Sequence, residues 1–260
     1  MIEFLRSTGW NFSSVPQAYG TFHLLFTIIG LGLAVLFAFL LRKSSKKTYN
    51  IILFCVGIFL LLAEIYKLTF RYFITYDQNI SSWMWLVPFQ LCSVPMYLAL
   101  IIPFLKEGKV KTSLYTFMAT FTLTTSLITF VEPSGFMHPE ITLTVHAFVW
   151  HTLIFFLGLY TMLNKQVGKH KKEFVAAIMV FLVTVGIATI LNVSLNNIGP
   201  LNMFYVNPFQ VTPIIVFKTI QQNFGYALTA VLYLSLITFI AFLAFAVAYL
   251  LNKRAPKQRN

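Results

Sequence analysis

Few side chains in this sequence can do chemistry, and those few fall inside apolar stretches. Cys92 stands in WMWLVPFQLCSVPMYLALIIPFL (83–105), His146 and His151 in a second run, and Glu64, Lys67 and Arg71 in a third. Thiolate, not thiol, is the nucleophile, so Cys92 needs a base or a cation beside it. A neutral imidazole at His151 takes that proton and later returns it to a leaving alcohol. The chemistry implied is acyl transfer, with an oxyanion held by backbone N–H groups that the prolines of 83–105 leave free. At a helical rise of ~1.5 Å per residue, Cys92, His151 and Glu64 lie ~14, ~15 and ~12 Å from the outer ends of their segments. Three polar groups therefore converge on one layer. Lys67 and Arg71 stand one and two turns above Glu64, within reach of outer headgroups and a lipid phosphate.

The expected catalytic pair is Cys92 and His151, with Glu64, Lys67, Arg71 and Gln90 as substrate contacts. Each has a plainer reading. A cysteine in a membrane helix packs as a small apolar residue, and a histidine there bonds a neighbouring helix. Glu64 and Lys67 also neutralise each other at i, i+3. His146 and His151 are five apart, about 140° around a helix, and do not form a paired metal site. No metal and no cofactor is expected.

The elements that must position these groups are membrane helices. The chain of 260 residues is 58% hydrophobic and only 10% charged, with no polar segment long enough to fold alone, so it reads as one transmembrane domain over 1–260. Its alternation is not that of a β-barrel. Seven apolar runs are each long enough to cross a bilayer, near 18–41, 50–72, 83–105, 113–130, 141–163, 174–193 and 224–251. Three prolines in the third run (Pro88, Pro95, Pro103) predict a kinked helix facing the bundle interior, where freed carbonyls find partners. Threonines of the fourth run read either as helix packing with hydroxyls bonded to their own backbone or as the polar lining of a cavity.

Net charge of +12 suggests nucleic acid, but the basic residues sit in short clusters between apolar runs, so membrane lipids are the expected partners and nucleic acid is not. Lys and Arg fall 15 on one side and 4 on the other, out of 19, which predicts an outside N-terminus and a cytoplasmic C-terminus in the cell membrane. Residues 1–17 carry Glu3 and Arg6 without an apolar core, so no cleavable signal peptide is expected. The loop 192–212 is the longest polar connection and is expected to fold over the outer mouth of the cavity, with Asn202 pointing inward.

The pattern P-x-x-L-C at Pro88–Cys92, the H-x-x-x-W-H stretch from His146 and the Asn-bearing loop Asn202–Pro208 resemble the bacterial YwaF-like integral membrane proteins. These are similar in turn to a eukaryotic transmembrane acyltransferase family acting on ether phospholipids. A more distant likeness is to androgen-induced multipass hydrolases. The resemblance implies a Cys–His pair working on lipid esters and adds Asn202 to the substrate contacts. It departs from the bacterial pattern at Gln90 and at Met203. Two other readings stand beside it, a small-solute or ion transporter and a non-enzymatic accessory protein. A retinal protein needs a lysine in the last span, and 224–251 has none.

Overall fold

The computed structural model describes residues 1–164 and 166–254, without the side chains of Ser134 and Arg254; Lys165, Lys257 and Arg259 of the charge count lie outside what is described. Among the described residues all regular structure is helical, apart from one isolated bridge between Asn11 and Glu140. The helices are α1 (Ile2–Thr8), α2 (Thr21–Leu40), α3 (Lys46–Phe70), α4 (Ile80–Trp83), α5 (Val94–Ile101), α6 (Lys109–Phe117), α7 (Leu123–Val131), α8 (Ile141–Leu163), α9 (Lys172–Leu195), α10 (Ile215–Phe224) and α11 (Tyr226–Arg254). π-Helical turns extend α3 to Thr75 and fuse α6 with α7 into one rod.

Six of these rods are long and apolar enough to cross a membrane. Their burial separates two roles. The α6–α7 rod and α8 have 61% and 56% of their apolar windows buried, whereas α2, α3, α9 and α11 have 17–28% and turn most of their apolar surface outward. Thus α8 shares the centre of the bundle with the α6–α7 rod. It crosses the π-turn of the α6–α7 rod at Gly158, where an added Cβ would stand 2.8 Å from Leu123 Cβ and 2.9 Å from the Met118 carbonyl. The threonines of that rod bond backwards, as the packing reading has it: Thr116, Thr120 and Thr124 each donate to the carbonyl four residues earlier.

The third apolar run is not the kinked helix its composition predicts. Residues 87–93 leave the helix altogether, and regular helix resumes only at Val94. Pro88 forces the residue before it out of the helical region, and Val87 sits at φ −46°, ψ 124°. Pro95 falls in the first turn of α5, where its missing N–H is harmless. The freed carbonyls are satisfied internally, as lipid requires. Tyr97 Oη donates to the Pro88 carbonyl at 2.8 Å, and Trp150 Nε1 donates to the Cys92 carbonyl at 3.1 Å.

This broken segment still runs the length of α3. Trp83 Nε1 donates to the Leu68 carbonyl at one end (2.9 Å). Gly57 meets Ala99 and Leu100 midway, and Phe54 meets the ring of Phe104 further on. At the far end Lys46 pairs with Glu107 at 2.8 Å. Beside the Arg71 end of α3, the N-terminal segment is tied down by Thr8–Tyr66 (2.7 Å) and by Ile141 N–H donating to the Trp10 carbonyl (2.7 Å).

Candidate functional site

A cavity of ≈ 410 Å³ opens between the Arg71 end of α3, the broken segment, the α7–α8 loop and α8. Cys92, His151, Glu64, Lys67, Arg71 and Gln90 all line it. They come from three separate stretches of chain and meet in one wall where the third run is broken.

Cys92 is a free, half-buried thiol. The indole that holds its carbonyl belongs to Trp150, next to His151, so the broken segment and α8 are joined at this point. His151 Nδ1 lies 2.8 Å from the Ala147 carbonyl one turn back. That contact assigns the proton to Nδ1 and leaves the lone pair on Nε2. His151 is walled by Phe136, whose ring centroid is 4.6 Å away. Cys92 and His151 share the cavity without a direct hydrogen bond between them.

Glu64 is 2% exposed and faces α8. Its Oε1 accepts from Lys67 Nζ at 2.7 Å, and its Oε2 stands 4.0 Å from His146 Nε2. Its partner is therefore Lys67, and the imidazole beside it is that of His146 rather than His151. Lys67 does not reach out to headgroups; its ammonium turns inward to Glu64 and lies 5.9 Å from the Trp150 ring centroid. Trp150 also stacks on His146 at 5.5 Å and 22°. His146 and His151 diverge around α8 as their spacing requires, and the cavity is wide enough to meet both.

Arg71 has no carboxylate partner among the described residues. Its Nη2 donates to the ring of His138 (3.0 and 3.2 Å), and Nη1 reaches Tyr76 Oη at 3.4 Å. Burial, with the Arg71 guanidinium as a second cause, pulls the His138 imidazole down to about 4, so the ring is neutral and accepts. The loop carrying it is clasped by Thr144, whose hydroxyl accepts from His138 N–H and donates to its carbonyl.

Gln90 and Asn202 do other work. Both ends of the Gln90 amide are taken by the 196–214 loop: Nε2 donates to the Asn202 carbonyl (2.9 Å) and Oε1 accepts from Phe204 N–H (2.8 Å). Asn202 is fully buried and does not line the cavity; its Oδ1 accepts from Asn207 N–H. The inward-pointing residue of the loop is Tyr205, which lines the cavity with Pro213 and Ile214. Phe204 and Tyr205 both take left-handed backbone (φ 55° and 57°), and Asn192 holds them from behind through both polar groups of Met203.

Sequence reasoning passed over His138 and Tyr205 and ranked His146 below His151. His138 had one signal, a histidine before Pro139 in a short loop at the cavity end of two spans. Tyr205 had none, because a strained turn turns it inward. Among the described residues no three His, Cys, Asp or Glu side chains converge as a metal site requires.

Long apolar helices packed around one polar, ionisable cavity define an integral multi-pass membrane protein with a buried site. The model of the TMEM164 family, a transmembrane protein family, matches residues 17–254, and the chain belongs to that family. No curated protein and no solved structure matches it.

Proposed function

We propose that this protein is a membrane-embedded lipid acyltransferase or lipid-ester hydrolase in which Cys92 is the nucleophile and His151 the base. The observation that carries the reading is that a free thiol and a lone-pair imidazole nitrogen, from distant stretches of chain, line one cavity inside an apolar bundle. A substrate or solvent atom seated between them relays the proton from sulfur to His151 Nε2. The thiolate then attacks the ester carbonyl carbon, and the alcohol leaves with the proton from His151. The backbone at Leu91 and Cys92 lies outside any regular helix, and its N–H groups are the donors we assign to the oxyanion. Arg71, without a carboxylate partner, receives the anionic part of the lipid.

The same reading sets the protein in the cell membrane with seven crossings and the N-terminus outside. The distribution of Lys and Arg supports the orientation, and the course of 83–107 along α3 supports the seventh crossing.

The test is covalent capture. Protein in lipid nanodiscs with radiolabelled phospholipid esters is expected to carry a hydroxylamine-labile acyl group on Cys92. Cys92→Ala and His151→Ala are each expected to lower transfer by ~10²-fold or more, and the double variant no further. Full activity in a folded Cys92→Ala variant sinks the reading.

A further inference from the structure

Two polar atoms in the cavity wall approach each other without reaching hydrogen-bond distance. Glu64 Oε2 and His146 Nε2 are both buried, and neither has a hydrogen-bond partner. They stand 4.0 Å apart, beyond the ~2.7–3.2 Å of an N–H···O bond. Neither is free to close the gap. Glu64 is anchored through its other oxygen to Lys67, and His146 is stacked on Trp150. Buried polar groups are satisfied by something, and the spacing fits one bridging atom at ~2.8 Å from each.

Charge chooses that atom. A cation is repelled by the Lys67 ammonium, 2.7 Å from the same carboxylate. An anion is repelled by Glu64. A neutral hydroxyl, donating to Oε2 and accepting from Nε2–H, satisfies both atoms at once.

We propose that Glu64 and His146 form a receptor for one hydroxyl oxygen, that of an alcohol or of water. The proposal rests on the function above, in which this hydroxyl is the acyl acceptor. Its oxygen bonds to the carbonyl carbon of the Cys92 thioester and the C–S bond breaks. The electron pair leaves with sulfur, and the hydroxyl proton reaches that sulfur by way of Glu64. Thioester plus hydroxyl thus gives ester, or free acid when water is the acceptor, and a restored thiol. Glu64 and His146 touch the second substrate, while Cys92 and His151 act on the first.

The direct test is cryo-electron microscopy of the full chain in nanodiscs, with and without dodecanol, at a resolution that shows ordered oxygens. The expected result is one oxygen within ~3.2 Å of both Glu64 Oε2 and His146 Nε2. Density continuing into an alkyl chain identifies an alcohol site, and an isolated sphere identifies water. A carbon between the two residues, or their closing into direct contact, overturns the proposal. Cys92→Ala is expected to keep the oxygen, so failure of the nucleophile and failure of this site are read separately. Kinetically, His146→Phe keeps the aromatic stack and the Glu64–Lys67 pair. It is expected to slow loss of the acyl group from Cys92 tenfold or more while the initial acylation burst persists. Unchanged deacylation in that folded variant also overturns the proposal.

Discussion

Replacing Gln90 by leucine tests how the cavity wall is built. The substitution keeps bulk and removes two hydrogen bonds at once, leaving the Phe204 N–H unpaired and the Asn202 carbonyl with Tyr205 N–H (3.2 Å) as its remaining donor. Asn202 and Phe204 are 0% and 1% exposed, so water does not replace the lost partner. A buried backbone group left unsatisfied costs about 1–3 kcal/mol, and a lost bond whose acceptor keeps another donor about 0.5–1.5 kcal/mol, which gives about 1.5–4.5 kcal/mol for the two. The segment has little to spare, because consecutive left-handed residues at Phe204 and Tyr205 each cost ~1–2 kcal/mol. Taking ~3 kcal/mol as the net loss, local opening becomes roughly 10²-fold more frequent. Hydrogen exchange followed by mass spectrometry on peptides covering 202–207 reads this directly. Exchange is expected to accelerate by roughly 10²-fold there while α8 peptides stay unchanged. Gln90→Glu keeps the acceptor for Phe204 and loses the donor to Asn202, so it should fall between. If Gln90→Leu leaves the loop within about threefold of wild type, then Asn192 alone holds it and the energetic reasoning is wrong.

Other expectations follow from the same geometry. His138 is held neutral down to about 4 against an ordinary 6.5, so an unfolded chain takes up its proton first as pH falls. Stability is therefore lost between pH 6.5 and about 4 and levels off below; the melting temperature of His138→Gln against pH should show a shallower slope over that window. Lys46 and Lys111, both bonded to Glu107, hold its carboxyl below the usual range, so its stabilisation is present above the ordinary carboxylate pKa and lost as pH falls through the lowered one. Because Glu107 is largely solvated, Glu107→Gln should lower the melting temperature by only about 2 °C, and a shift above ~8 °C would contradict that discount. A cysteine at Lys169 should resist an impermeant external thiol reagent in intact cells; labelling there would reverse the proposed orientation.

What the sequence determined by itself was the solvent and the material. Apolar runs of membrane length, separated by basic clusters, require helices in lipid, because lipid leaves a backbone no other way to bond. Only the structure brings Cys92 to the cavity, because residues 87–93 leave the helix and its rise does not apply there; the relative level of Glu64 and His151, both in regular helix, was legible, since helical rise fixes it once the ends of a run are known. Rotation about each helix was not, because hydropathy is nearly uniform around a lipid-exposed rod and carries no mark of which neighbour it will meet. Glu64 was thus equally compatible with His151 and with Lys67, and packing of α3 against α8 set it before His146. Composition showed that Pro88 and Pro95 would disturb the third run; only the tertiary structure decided that the chain leaves the helix there. Partners for the freed carbonyls come from Tyr97 on the same run and from Trp150, 58 residues away. The roles of Gln90 and Asn202 were hidden for the same reason. An amide in a cavity wall and an amide that clasps a loop look alike in sequence, and the difference lies in which backbone folds up against it.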